Sequence, residues 1–217
     1  MSQEAPKTRR GSRGLLRRAL RYSGQIVVRP LRGIDAVASD PQGLWTGLWI
    51  GFLFLAAYAL TVLIYYLLGH QPVAEPFLTS PLRRWYLVQT FTTLPVGMAG
   101  YLTYVGLAYL LARLWGGRGS YDATLGTSIY ALVLPWIFFT LSFELLVAPF
   151  LIARGSDRLP WPDWVESLRV YGLPIPWMFA LCTLVIVRVH GLAWWKGLLI
   201  ASAAAIPMAG IMAVFIR

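Results

Sequence analysis

One acidic residue, Glu144, lies well inside an apolar stretch of this 217-residue chain. A carboxyl group is costly to place in lipid, and such residues often mark proton or ion pathways. Two hypotheses follow. Glu144 is part of a proton or cation relay, or it is a structural group that pairs with an arginine such as Arg84 or Arg169 or is hydrogen-bonded across helices. Because no second acid lies at comparable depth, the structural hypothesis is favoured.

The other residue types that bind metals or catalyse reactions are few and far apart. Cys182 is the single cysteine, and His70 and His190 are separated by 120 residues, so the sequence contains neither an internal disulfide nor a metal-ligand spacing. The run Gly116-Gly117-Arg118-Gly119 lacks the Lys-Ser/Thr of a phosphate-binding loop and is typical of a tight turn. We therefore expect a protein without metal or cofactor that is not an enzyme. A lipid-acting enzyme that uses His190 and Lys196 is the alternative.

The composition places these residues in a membrane protein. Hydrophobic residues make up 58% of the chain and charged residues 13%, whereas soluble domains average about 45–50% and about 25%. The apolar residues form blocks long enough to cross a bilayer as helices. The sequence thus predicts an all-α, polytopic bundle of five transmembrane helices. The predicted spans are residues 44–68, 85–114, 127–152, 173–187 and 192–216, and residues 121–125 could extend the third as an interfacial turn.

The first 43 residues form a basic arm that precedes the membrane domain of residues 44–217. Between residues 13 and 22, arginines and apolar residues fall on opposite sides of a helix, which predicts a short amphipathic helix on the lipid surface. A disordered, arginine-rich arm is the alternative, and Pro30 and Pro41 limit helix beyond this stretch. Lys196 begins the fifth span and can also reach the headgroups. The predicted contacts with anionic lipid headgroups are Arg13, Arg17, Arg18, Arg21 and Lys196.

The distribution of basic residues predicts the orientation. With the N-terminus in the cytoplasm, cytoplasmic segments hold 13 of the 19 lysines and arginines and outer segments hold six. This bias favours a cytoplasmic N-terminus and an outer C-terminus. Nine of the 13 lie in the arm, so the predicted orientation depends on it. A basic cluster directly before an apolar block indicates lipid headgroups rather than nucleic acid.

Small residues and prolines in the spans allow two kinds of function. Ala201, Ala205, Ala209 and Gly210 recur at helical spacing, and Gly47 with Gly51 forms a GxxxG pattern. Such residues let helices approach closely, either within this bundle or against another membrane subunit. Helices broken by proline often line transport sites. The prolines concerned are Pro95, Pro135, Pro174 and Pro207.

Two stretches carry a family resemblance. Residues 110–138, LLARLWGGRGSYDATLGTSIYALVLPWIF, resemble the centre of the Yip family of membrane proteins, whose yeast members bind Ypt/Rab GTPases. There a helix ends in a "gg-x-gs" turn, and the next helix carries a tyrosine and then a proline. Residues 187–201, VRVHGLAWWKGLLIA, resemble the family's hinge before the last span. The matching residues are Gly116, Gly117, Gly119, Ser120, Tyr130, Pro135, His190, Gly191 and Lys196.

The resemblance implies five helices with a cytoplasmic N-terminus. Eukaryotic members act in vesicle trafficking through an acidic-aromatic segment with a D-L-x-G-P signature, whereas this chain has Ser39-Asp40-Pro41-Gln42-Gly43 and a basic arm. It therefore resembles bacterial members, which implies the cell's inner membrane. We expect a scaffold or accessory subunit that acts through lipids, partner membrane proteins or self-association. A small transporter or channel that uses Glu144 is the alternative.

Overall fold

The computed structural model describes residues 12–69, 82–154 and 162–215, and within these ranges every regular element is a helix. The all-α class is therefore confirmed. Two π-helical turns, Ile137–Leu141 and Leu168–Gly172, adjoin the α-helices. The α-helices are α1 Ser12–Val28, α2 Pro30–Ser39, α3 Gly43–Leu67, α4 Leu82–Leu114, α5 Tyr121–Trp136, α6 Ser142–Leu146, α7 Ala148–Ala153, α8 Asp163–Ser167, α9 Pro174–His190 and α10 Trp194–Phe215.

Five helical segments are long and apolar enough to cross a membrane, which confirms the predicted number. Each comprises at least 20 residues, the length that a bilayer's hydrocarbon core requires. The third consists of α5, the first π turn, α6 and part of α7, and the fourth joins the second π turn to α9. The segments are Gly43–Leu67, Arg84–Leu114, Tyr121–Leu151, Leu168–His190 and Trp194–Ala213.

Two predicted spans differ in their bounds from those of the structure. The third span begins at Tyr121 rather than at residue 127, because the Ser120 hydroxyl accepts a hydrogen bond from Ala123 N–H at 3.2 Å and caps the helix there. The fourth extends from Leu168 to His190 instead of from 173 to 187. Its first turn is π-helical, with Leu173 N–H bonded to Leu168 O at 2.8 Å. Such a turn has no simple hydropathy signal.

The spans form a closed ring in which α5 lies deepest. α4 packs between α3 and α10, α9 packs between α10 and α5, and α5 completes the ring against α3. Every residue from Thr124 to Pro135 is buried. This stretch is buried on all sides and cannot contact lipid, so α5 is the structural centre of the bundle.

Glycines set the distance between α3 and α5. A Cβ atom at Gly126 would lie 2.8 Å from the carbonyl oxygen of Gly43 and 3.0 Å from Leu44 N, both backbone atoms of α3. Gly47 faces Gly126, and Gly51 faces Ile129. The GxxxG pattern of the first span therefore packs within this bundle, as one of the two hypotheses required.

The arm contains two helices where one was predicted. α1 continues past Tyr22 to Val28, and α2 begins at Pro30, a residue well suited to a first helical turn. We call the two the N-terminal hairpin, and the end of the bundle that it covers, against α3, α5 and α9, the arm end. Each helix of the hairpin buries one of its sides against its neighbours. The fully buried apolar residues are Ala19, Tyr22, Ile26, Ile34 and Val37.

Candidate functional site: polar groups at the two ends of the bundle

At the arm end, the glycine-rich turn after α4 packs directly on the last residue of α9. Arg118 N–H donates to His190 O at 3.2 Å. A Cβ atom at Gly117 would lie 2.9 Å from the Cβ of His190, and one at Gly119 would lie 3.0 Å from its Nδ1. Both positions thus need glycine because the histidine occupies the space of a side chain. The two stretches of the family resemblance meet in one place, which we call the glycine–histidine junction.

His190 is held by a residue that the sequence analysis missed. Its Nε2 lies 2.9 Å from the Thr124 hydroxyl, which in turn donates to Ser120 O at 2.7 Å. Since the hydroxyl uses its hydrogen on Ser120, it accepts from Nε2–H, and the buried Nδ1 has no hydrogen-bond partner among the described residues. His190 is buried, and its ring contacts Tyr109 with a centroid distance of 6.0 Å. The arrangement fastens α9 to α5.

The remaining motif residues lie at a helix end, in the turn or in the buried part of α5. Gly191 has φ of +68° and ends α9 in the left-handed conformation, as a C-terminal glycine commonly does. Gly116 has φ of +87° in the turn. Tyr130 is fully buried in α5. Pro135 lacks the N–H that would continue the α-helical ladder, and the helix widens into a π turn two residues later.

At the opposite end, Glu144 is paired with one of the two arginines that the sequence offered. Arg169 Nη2 lies 3.2 Å from Glu144 Oε1, and the Tyr65 hydroxyl donates to Oε2. Arg169 Nη1 also donates to Phe139 O at 3.1 Å, and the guanidinium stacks over the Phe143 ring at 4.0 Å. Both side chains are mostly buried, so the charges compensate each other in a medium that solvates them poorly.

Other polar side chains extend this site, which we call the Glu144 polar cluster: Glu144, Arg169, Tyr65, Tyr86, Tyr58 and Gln89. The rings of Tyr65 and Tyr86 are 5.9 Å apart, and Gln89 Nε2 lies 3.5 Å from the Tyr58 hydroxyl. Gln89 is fully buried in α4. The sequence analysis missed all four additional residues, because Tyr58 and Tyr65 lie in the first span, Tyr86 and Gln89 lie in the second, and only the fold brings them to Glu144 and Arg169.

The predicted lipid contacts differ in their surroundings. Arg17 and Arg21 are exposed, and Lys196 lies near the Trp195 ring, 5.7 Å from its centroid. Arg18 is paired with Asp40 at 3.1 Å, so its charge is partly used within the protein. The Arg13 side chain, like His70, lies outside the described residues. Contact of these cations with headgroups stays a prediction.

Asp40, which directly follows α2, holds the two helices of the N-terminal hairpin together through its bonds to α1. Its carboxylate accepts from Arg18, from the Tyr22 hydroxyl at 2.5 Å and from Gln42 N–H at 2.9 Å. Partial burial raises the pKa of Asp40, but the hydrogen bonds from Tyr22 and Gln42 and the charge of Arg18 outweigh it, so the pKa lies below its ordinary value of 3.8. Burial and the bond to Asp40 raise the pKa of Tyr22.

Acid should therefore loosen the hairpin. A lowered carboxyl pKa contributes stability that is complete above the ordinary value of 3.8 and is lost as the pH falls through the folded value. We expect amide hydrogen exchange in α1 to accelerate in that range relative to α5. Asp40→Asn should exchange faster already at neutral pH and show a weaker acid response. The explanation is wrong if wild type and Asp40→Asn accelerate by the same factor.

Among the described residues, no group of three or more histidine, cysteine, aspartate or glutamate side chains could hold a metal ion. Cys182 is buried. The arrangement at both ends can bind and orient charged groups.

Comparison with known proteins agrees with the geometry at the glycine–histidine junction. No curated protein and no solved structure is similar enough to this chain to match it. The sequence profile described as the Yip1 domain matches residues 24–216. That stretch begins inside α1 and includes all five spans and both halves of the junction. The chain is thus an integral, multi-pass membrane protein that belongs to the Yip1 domain family.

Proposed function

We propose that the protein is a non-enzymatic scaffold or accessory subunit that acts through membrane lipids and partner membrane proteins. The observation that carries the proposal is the outward face of the N-terminal hairpin. Leu16, Leu20, Val28 and Leu31 are between 42% and 75% exposed on it. Exposed arginines alternate with them at Arg17, Arg21, Arg29 and Arg32. Apolar side chains beside cations on a surface helix suit the boundary between acyl chains and anionic headgroups.

The spans leave room for partners. In each of them, only 33% of the most apolar stretch is buried inside the chain. On α10, Ala201 and Ala205 are buried, whereas Ala209, Gly210 and Ile206 are exposed. Part of the small-residue pattern therefore packs inside this bundle, and part faces outward, where a second helix can approach closely.

A bulky residue at Gly210 should disrupt association. Nothing lies within 4 Å of the position that a Cβ atom would take at Gly210, so Gly210→Leu alters only the outward surface of α10. We expect the variant to lose bound partner or self-association when it is purified from native membranes in mild detergent. Size-exclusion chromatography and mass spectrometry of copurified proteins measure the effect.

Gly106→Leu on α4 is the matched control, because its surroundings are equally open. It should retain the associated species. A wild-type protein that purifies as a lone monomer, without a stable partner, would contradict the proposal.

We propose that the arm end faces the cytoplasm of a cell with this protein in its inner membrane. The described cations at the arm end outnumber those at the opposite end, where Arg84, Arg154 and Arg169 lie, and positively charged segments favour the cytoplasmic side. A reporter fused after Arg217 should be active outside the cytoplasm. A cytoplasmic reporter would overturn this orientation.

The Glu144 polar cluster favours a small transporter or channel as the second candidate. A buried ion pair whose residues lie in or beside π turns is a common feature of functional sites in helices. Flux through liposomes containing the purified protein distinguishes the two functions. Transport that Glu144→Gln abolishes supports the second candidate, and equal flux in wild type and variant excludes a relay through Glu144.

A further inference from the structure

An open pocket of about 470 Å³ lies at the glycine–histidine junction, where the turn after α4 meets the end of α9. Its lining consists of Gly116, Arg118, Arg188, Val189, His190 and Gly191. Two glycines make part of the lining backbone. A Cβ atom at Gly116 or Gly191 would meet nothing within 4 Å, so these positions border open space.

The pocket carries positive charge. Arg118 is exposed and, within the described part of the chain, makes no ion pair. Arg188 is held in place by Asp35 of α2 through two hydrogen bonds, at 2.5 and 3.0 Å. Arg113 lies beside the pocket, because its Nη1 donates to Gly117 O at 3.2 Å and Gly117 stands between the lining residues Gly116 and Arg118. Two acidic residues offset part of the charge of these three cations: Asp35, and Asp122 in the first turn of α5.

The pocket lies beside the ends of two spans, where lipid headgroups are expected. His190 is the last residue of the fourth span, and Leu114 is the last residue of the second. Trp115 and Trp194 flank these ends, and both are exposed, as aromatic residues at a membrane interface usually are. Basic pockets between spans at this depth are suited to anionic headgroups.

We propose that this pocket binds the phosphate group of an anionic phospholipid, with Arg118 as the principal cation and Arg188, oriented by Asp35, as the second. The planar guanidinium of an arginine can bind two phosphate oxygens at once through parallel N–H donors. The inference rests on the proposed function insofar as it makes a lipid the partner. It differs from binding at the hairpin surface because a pocket holds one headgroup at a saturable site.

Titration of the delipidated, full-length protein in uncharged detergent tests the site. The probes are dihexanoyl phosphatidylglycerol, dihexanoyl phosphatidylcholine and inorganic phosphate, each followed by native mass spectrometry. We expect one phosphatidylglycerol per chain and weaker binding of the zwitterionic lipid. Arg118→Gln should weaken phosphatidylglycerol binding about fivefold, the loss expected for one cation near an anionic lipid.

Arg154→Gln removes a cation at the opposite end and is the matched control, which should bind like wild type. Unchanged thermal unfolding of Arg118→Gln shows that the fold is intact. Phosphatidylglycerol binding that survives excess inorganic phosphate assigns a lipid headgroup, and displacement by phosphate assigns a soluble phosphate compound to the same site. Equal affinities in wild type and Arg118→Gln, or equal losses in Arg118→Gln and Arg154→Gln, would overturn the proposal. Association lost in Gly210→Leu is measured separately, so failure of the pocket and failure of the scaffold function are distinguishable.

Discussion

Replacing Arg169 with glutamine should lower the free energy of unfolding by about 3 kcal/mol, because it leaves the Glu144 carboxylate uncompensated in a buried site. Arg169 also donates to Phe139 O and stacks on Phe143, so the variant loses contacts between the third and fourth spans. Thermal unfolding of the purified protein in mild detergent measures the effect. The loss should be specific to this end of the bundle, and hydrogen exchange should increase in α6 and the π turns before it does in α5.

Two variants make the comparison decisive. Glu144→Gln combined with Arg169→Gln has no unpaired charge and should recover part of the lost stability. Arg188→Gln breaks the exposed ion pair with Asp35 at the arm end and should change stability little, since water solvates both groups. If Arg169→Gln and Arg188→Gln unfold at the same temperature, burial does not determine the strength of these ion pairs.

Adding a single methyl group at Gly126 should be similarly damaging. A Cβ atom there would lie 2.8 Å from Gly43 O and 2.9 Å from Gly43 C, and backbone atoms cannot yield as a flexible side chain can. Gly126→Ala must therefore separate α3 from α5, and we expect a loss of about 2–3 kcal/mol in the free energy of unfolding. Thermal unfolding in detergent and the yield of folded protein report it.

Gly106→Ala makes the same chemical change in α4, where a Cβ atom meets nothing within 4 Å. Alanine is the better helix former, so this variant should be as stable as wild type or more stable by about 0.5 kcal/mol. Similar losses in both variants would mean that helix flexibility, and not the close contact of α3 and α5, requires glycine at position 126.

Hydropathy predicted the number of spans because each apolar block is long and uninterrupted. It placed the start of the third span at residue 127, with residues 121–125 as an interfacial turn, although Ser120 caps the helix and the fold buries Thr124. α2 was not predicted as a helix, since Pro30–Ser39 is short and becomes helical against α1, α3, α5 and α9. Local sequence does not contain such tertiary support.

The residues of the polar sites also divide into those that the sequence identifies and those that only the fold brings together. Glu144 was identifiable because an acid in an apolar block is conspicuous, and Arg169 was one of two partners that the sequence offered. Tyr65, Tyr58 and Gln89 were not identifiable, because a tyrosine or glutamine in an apolar span is unremarkable until the fold brings it beside Glu144 and Arg169. At the arm end, Gly117 and His190 belonged to separate motifs. Their contact depends on the return of α9 to the start of α5.

The burial of α5 from Thr124 to Pro135 has a consequence for how the chain is made. Membrane helices enter the bilayer one after another during synthesis and associate afterwards. α5 enters before α9, the helix that covers one of its sides. Until then the polar residues Thr124, Thr127 and Ser128, all buried in the finished protein, have no α9 beside them. The third span is therefore an unfinished core during translation, and the arrival of the fourth span is the step that commits the nascent chain to its native arrangement.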